Sequence, residues 1–494
     1  DLAPHADATI TPRIIGNRGL GVENEIRYLN QFSEWQFSGS YFTDDINNED
    51  RWLAAVKEQG QFADNWFHNI DISRVSDDDY FEDYDVSSLD VKRQTHLLQS
   101  GELHYRGNKV SSSLAVKQYQ TIESGLSEPH RIRPQFNIHT NTQNQHAKPE
   151  LIGVFEYSDF DSDDTAQAKG QRLYYETGVA VPLQWQAGYI HSRASIKGVR
   201  YDLNQQHAVI ANANKPSVQV PSATIDAGLT FEKLGKHGKQ TIEPRAVYTY
   251  TEFEDQSDMP VFDTRLAALS IEQQFKNSRF SGYDRIDNAN QLTLGITNRH
   301  FNNAGRQVAS AGIAQTFYFD DKKVFLNNGQ LISDSHSPIL GELTLQPFEG
   351  YNASFHFAAD NDFKRIERAR WRISYQNNGR LLSASQIYNR DETNNKITDQ
   401  TEFSAALPLG KRWNIYAQHH YDKRNEQSVQ NTLGLAYESC CWKVRTIYQQ
   451  SLDNNDIAGE HDSGFFIEFE LKGLGGTGAT TDSILADTIY GFTQ

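Results

Sequence analysis

The chain has 494 residues, with 64 acidic against 47 basic side chains for a net charge of −17, and it carries 27 Phe, 23 Tyr and 7 Trp. The negative balance excludes a nucleic-acid partner, which needs a basic stripe, and the aromatic content excludes a disordered acidic chain. With 37% apolar residues, a mean hydropathy of −0.66 and no run near the ~20 apolar residues of a membrane helix, a greasy two-domain α/β enzyme and a helical membrane protein are both excluded; a membrane β-barrel, whose strands face lipid at every second residue, is not.

The first residues, Asp1 to His5, contain no Met, no basic segment and no apolar segment, so the chain reads as one that begins within a longer protein, any signal peptide gone. From there the recurring pattern is alternation with period two, the strand period. Trp35, Phe37, Gly39 and Tyr41 alternate with Gln36, Ser38 and Ser40. The acidic run from Ser76 to Asp85 reads as a solvated loop rather than a cation site. Val181-Pro182-Leu183-Gln184-Trp185 is the first of three places where Pro stands beside Leu or Phe and an aromatic follows. There the proline is expected to end strand pairing and the aromatic to sit at the membrane interface. Ile242, Pro244, Ala246, Tyr248 and Tyr250 then form another apolar face opposite Glu243, Arg245 and Thr249.

Between Asn277 and Asn290 (NSRFSGYDRIDNAN), Asp284 and Asp287 stand near Arg279 and Arg285. An acid pair of the glycosidase kind is one reading; two carboxylates in a Gly/Asn-rich segment are better read as a salt-bridged, loop-ordering cluster. The last third alternates tight turns at 346–350, 377–379, 408–411 and 439–441 with polar segments at 360–367, 391–400, 423–428 and 452–463. Short on one side and long on the other is the asymmetry of an outer-membrane barrel. A soluble β-sandwich or propeller is the bland alternative, and the number of strands with no domain-sized helical segment speaks against it. His419 and His420 fall on opposite faces of a strand and cannot chelate together. No nucleophile elbow, phosphate loop or dinucleotide fingerprint is present, so neither enzymatic activity nor a cofactor is expected.

Cys440 and Cys441 are the two cysteines of the chain and stand side by side in a turn. Neighbours rarely reach disulfide geometry with each other, so in an oxidising compartment both need partners outside this sequence. Last comes a strand in which Phe465, Ile467, Phe469 and Leu471 share one face and Phe466, Glu468, Glu470 and Lys472 the other.

The turn YESCCWKVR (437–445) resembles the Cys-Cys-Trp signature of the LptD family of outer-membrane lipopolysaccharide-assembly proteins. DATITPR (7–13), ENEIRYL (23–29), IEPR (242–245), DQSDMPVFDT (255–264), NSRFSGYDRI (277–286) and GFFIEFELKGL (464–474) are similar to the family in the same order. The resemblance implies an all-β fold, a large antiparallel transmembrane β-barrel of 26 strands, of which about 24 are expected here, filling residues 1–474 ahead of a C-terminal tail at 475–494. It implies residence in the outer membrane of a Gram-negative bacterium and transfer of lipopolysaccharide to the outer leaflet. The implied partners are the bilayer, a plug lipoprotein, LptE, in the lumen, and a periplasmic bridge protein, LptA, received by an N-terminal jelly-roll domain that this sequence lacks. Cys440 and Cys441 would pair with cysteines near that domain. Gly464, Phe465, Phe466, Ile467, Glu468, Phe469, Glu470, Leu471 and Lys472 would form one wall of a lateral gate between the first and last strands. A passive porin without a plug is the alternative.

Overall fold

A computed structural model of the chain describes residues 2–15, 19–46, 48–84, 95–122, 126–140, 147–204, 214–236, 238–326, 334–390, 395–452, 461–471, 475–478 and 481–492. Long antiparallel strands succeed one another from Ala6–Ile15 to His461–Leu471, each hydrogen-bonded to the next in one sheet, while Arg265–Leu266 and Phe280–Ser281 pair with each other apart from it. Among the described residues the main sheet has 26 strand segments. Ser217–Leu229 and Phe231–Gly235 are two pieces of one strand, both paired with Gly238–Thr251, and Gly475–Gly478 is a four-residue return. Setting these two aside leaves 24 long strands, the number expected. Among the described residues helix is confined to Tyr80–Asp83, Ile271–Gln274 and Thr481–Thr488, none long and apolar enough to cross a membrane.

The two faces of the sheet differ as the alternation requires. Phe37 and Tyr41 are exposed where Ser38 and Ser40 are buried; Ile242, Tyr248 and Tyr250 are exposed opposite buried Thr241, Thr249 and Thr251; Leu433 and Leu435 are exposed beside buried Thr432. In water such an array of bare aliphatic and aromatic side chains would cost about 25 cal/mol per Å², and soluble monomers rarely tolerate it. Lipid is the solvent that suits this face, and the polar face is the lumen.

Strand ends sort into two sets. Gly188 follows Trp185, Arg380 follows Asn377, Trp413 follows Leu409 and Trp442 follows Glu438 after turns of a few residues, whereas long connections at 76–95, 204–216, 252–288 and 319–338 leave from the opposite end. The turn between Asn377 and Arg380 is a two-residue hairpin with positive φ at both Asn378 and Gly379, the requirement of a type I′ turn. The prolines correct the sequence reading. Pro347 lies in a turn, but Pro182 pairs with His191, and Pro408 with Asn414, inside continuing ladders. Each stands beyond the last rung on its other side, Ala180↔Glu150 and Ala406↔Leu381, so only one neighbour remains there to ask for an N–H.

The lumen was expected to be polar. Among the described residues it is, except for three apolar clusters, one built around Phe42, Tyr80 and Tyr84, one around Tyr174, Tyr201 and Met259, and one around Tyr416, Ile447 and Leu485. Each forms where a segment outside the long strands folds inward and brings its own apolar side chains.

Candidate functional site

The long connection 252–288 is fixed to the wall chiefly around one buried side chain that the sequence pattern does not single out, Arg172. Arg172, on the inward face of Gly170–Trp185, is fully buried and reaches three carboxylates: Glu156 at 2.5 Å, Asp284 at 2.5 Å, and Asp263 in a bidentate pair at 2.6 and 3.0 Å. Its inward neighbours at every second position, Tyr174 and Glu176, are also buried. That Arg-Tyr-Glu series on a lumen face was the one available signal.

Asp284 does more than pair with Arg172. It accepts the backbone N–H groups of Phe262, Asp263 and Thr264 at 2.8 to 3.0 Å and the Tyr201 hydroxyl at 2.9 Å. Burial alone would raise its pKa, but Arg172 and the three amides outweigh that, and the carboxyl is held below its usual value. Asp287 is a separate unit, held by Arg279 through the guanidinium and the backbone N–H at 2.8 to 3.2 Å. Its pKa is also lowered, burial again being outweighed, here by Lys322 and Arg279. The two aspartates therefore order the loop, as the sequence reading preferred, and each is already committed to its own arginine.

Arg285 stitches this connection to the next one. Its guanidinium donates to the carbonyls of Met259, Pro260, Asp284, Phe325 and Leu326. Lys322 donates to the Asn288 carbonyl at 2.8 Å and to Gln291 Oε1 at 2.6 Å. Burial lowers the Lys322 ammonium to about 8 against the opposing pull of Asp287. A short helix at Ile271–Gln274 completes the contact, with Gln274 bonded to Ser337 and Thr293. The result is a lid of two stitched connections over the long-loop end of the wall between Glu150 and Leu345.

The acidic run also differs from the solvated loop expected. Asp77 pairs with buried Arg51, while Tyr80 and Tyr84 pack on Phe42, Leu53 and Leu97. Two tyrosines that bury apolar area outweigh the preference of their acidic neighbours for water. Asp85 lies outside the described residues.

The last strand, His461–Leu471, faces as its sequence implies. Phe465, Ile467, Phe469 and Leu471 are exposed on the lipid side, and Phe466 packs into the inner apolar cluster. Glu468 accepts from Arg445 and from the Thr481 hydroxyl, while Glu470 lies 3.6 Å from Lys443. Gly464 shares the inward face, and Lys472 lies outside the described residues. Among the described residues this strand does not pair with Ala6–Ile15. Its outer edge meets Gly475–Gly478 at Glu468 to Leu471, the short-turn end. Residues 475–494, expected as a tail, carry the helix Thr481–Thr488, which lies on the inner wall. Leu485 and Ile489 are buried against Leu381, Ala406, Tyr416, Ala436 and Ile447, and the Arg372 guanidinium stacks on Tyr490 at 3.9 Å.

Cys440 and Cys441 occupy the short turn between Glu438 and Trp442, exposed, with sulfurs 2.8 Å apart. His419 and His420 part to opposite faces, bonded to Asn431 and Gln400 respectively.

Comparison with known proteins bears on this geometry. The sequence model of the family LptD, LPS transport system D, matches residues 49–413. The LPS-assembly protein LptD of Saccharophagus degradans is 32% identical over all of this chain, and that of Alcanivorax borkumensis 31% identical. The chain spans 64% and 66% of the length of these curated relatives. Among solved structures, the siderophore receptor PirA from Pseudomonas aeruginosa superposes with a TM-score of 0.39 at 6% identity, covering 94% of this chain and 79% of that one. With a lipid-facing apolar surface over 24 long antiparallel strands and a family match across most of its length, the chain is the wall of an outer-membrane β-barrel and belongs to the LptD family.

Proposed function

We propose that this barrel delivers lipopolysaccharide to the outer leaflet, taking the sugar and phosphate part through the lumen and releasing the acyl chains sideways at the seam beside Gly464 to Lys472. The observation that carries this reading is the stitched lid at 252–288 and 319–326. Arg172, Arg285 and Lys322 hold the long-loop end by buried polar contacts, which favours a lateral exit over an axial one. Acyl chains would also meet an unfavourable polar wall on the axial route. In this proposal the lipoprotein LptE fills part of the lumen, and the bridge protein LptA supplies substrate at the short-turn, periplasmic end through the N-terminal part of the longer protein. The energy comes from elsewhere, since the chain has no phosphate loop.

The test is purification from the outer membrane followed by reconstitution. A stoichiometric small lipoprotein is expected to co-purify, and vesicles carrying the pair are expected to take up lipopolysaccharide from a loaded periplasmic bridge. A lumen without a second chain, together with steady ion conductance, would instead mark a passive porin.

We also propose that Cys440 and Cys441, at the periplasmic end, each join an N-terminal cysteine of the longer protein. Peptide mapping of the mature full-length protein is expected to find both in disulfides, and removal of both to impair assembly while leaving the strand content intact. Two reduced thiols in the mature protein would refute the pairing.

A further inference from the structure

The outward face of the strand pair Ile366–Asn377 and Arg380–Arg390 changes character along its length. From the long-loop end the facing pairs are Ala369 with Tyr388, Trp371 with Gln386, Ile373 with Ala384, and Tyr375 with Leu382. Exposed Ile373, Leu382 and Phe403 identify this as the lipid side. Successive same-face positions lie ~6.6 Å apart, so two kinds of surface follow each other within about 20 Å.

At the long-loop end a cleft of about 400 Å³ is lined by Lys364, Arg365, Trp371, Gln386, Tyr388 and Arg390, with Ile366 and Ala369. Three cations and no carboxylate form this lining, in a chain whose net charge is −17. Lys364 also reaches Asp362 at 2.7 Å and Arg365 reaches Glu367 at 3.1 Å, both carboxylates lying outside the cleft lining. The Arg365 Nε is buried with no acceptor. Trp371 is fixed by its indole N–H on Gln386 Oε1 at 3.2 Å, and Gln386 by Asp399 at 2.9 Å.

Directly toward the short-turn end lies an apolar groove of about 540 Å³. Ala384, Ala405 and Ala417 form its floor on adjacent strands, and Ile373, Leu382 and Phe403 stand as its rims.

We propose that this composite surface holds a resident phosphorylated glycolipid of the outer leaflet. Its phosphate sits against Arg365, Arg390 and Lys364, its sugar against the rings of Trp371 and Tyr388, and an acyl chain in the alanine-floored groove. The chemistry requires each part. A guanidinium pairs a phosphate bidentately, aromatic side chains at the headgroup level present a flat apolar body with a polar tip, and a groove floored by alanines accepts a methylene chain that a flush wall of Leu or Phe would turn away. The inference rests on the outward assignment of this face and of the long-loop end, and is independent of delivery through the seam.

The experiment uses the whole chain in detergent, washed free of lipid, with hexa-acylated bisphosphoryl lipid A as the probe and its dephosphorylated form and phosphatidylethanolamine as comparators, read by native mass spectrometry and by titration. One lipid A is expected to bind with at least tenfold preference over both comparators. R365Q combined with R390Q should remove that preference, while A384F should weaken lipid A and leave the charge-dependent discrimination in place. Heat-modifiable mobility on gels reports that each variant is folded. Equal retention of all three lipids by the wild type, or unchanged lipid A binding by the double variant, overturns the proposal. Delivery assays are unaffected by either result, so the two readings fail separately.

Discussion

Replacing Arg172 with methionine is expected to release the connection 252–288 from the wall while leaving the barrel intact. The substitution keeps much of the side-chain volume but strands Glu156 and Asp284 as buried carboxylates with no cation, and it takes the bidentate partner from Asp263. Breaking a buried ion pair by removing one partner costs about 3–5 kcal/mol, well above the ~1 kcal/mol typical of a single neutral hydrogen bond. The ladders of the long strands do not depend on this contact, so heat-modifiable mobility should survive. Protease cleavage and amide exchange within 252–288 should rise by two or more orders of magnitude. Arg172→Met and Asp284→Asn together should restore part of the protection, because one of the two uncompensated buried carboxylates is then gone while Glu156 remains. The same lid carries a pH signature. Asp284 and Asp287 have lower pKa values folded than the 3.8 of an ordinary aspartate, so their contribution is complete above that value and is lost as the pH falls below it through the folded values. Lid protection should therefore hold from about pH 5 to 7 and collapse only in stronger acid. Loss of protection already at pH 5, or an Arg172→Met lid as resistant as the wild type, would show that something other than this cluster holds the loop.

The degree to which this molecule is legible in its sequence depends on the range of the contact. Period-two alternation is local, so strands such as Trp442–Leu452 and His461–Leu471, and the turns at 377–379 and 439–441, could be read directly. The facing of Phe465 to Leu471 follows from the same parity. The cluster at 277–290 was legible as loop-ordering, yet its anchor was not, because Arg172 stands 112 residues before Asp284 and nothing local joins them. The inner apolar clusters failed for a related reason. Phe42 shares a face with Ser38 and Ser40, which marks that face as lumen, and only the inward fold of Tyr80 and Tyr84 gives it an apolar neighbour. The helix Thr481–Thr488 is not legible in the sequence, because eight residues with two aspartates show little amphipathic pattern. Its place is fixed by Leu485 and Ile489 meeting strands from Arg380–Arg390 to Trp442–Leu452, and by Thr481 bridging Glu468 and Arg445.

That last contact bears on the seam. If lipopolysaccharide leaves at the seam as proposed, a disulfide between a cysteine placed at Ile467 and one on the strand that borders His461–Leu471 in the full-length protein is expected to abolish its delivery and to leave the barrel folded. Delivery should return on reduction. Ile467 stands on the lipid face, 53% exposed, so the change removes no inner contact. In a bilayer every backbone N–H and C=O must find a partner, and each one left bare costs several kcal/mol. An open seam beside this strand must therefore be brief or filled by water and substrate, with the closed form dominant at rest. Glu468, held to Arg445 and Thr481, and Glu470, near Lys443, keep the inward side of the strand tied to its neighbour Trp442–Leu452 and to the C-terminal helix. Separation is then expected on the other side of the strand, where Glu468 to Leu471 meet only the short Gly475–Gly478 and residues 461–467 have no outer strand partner among those described. Covalent closure of that side should stop lateral release without touching the lumen. Undiminished delivery by the oxidised, cross-linked barrel would mean that the acyl chains leave along the axis, past the lid that Arg172 holds.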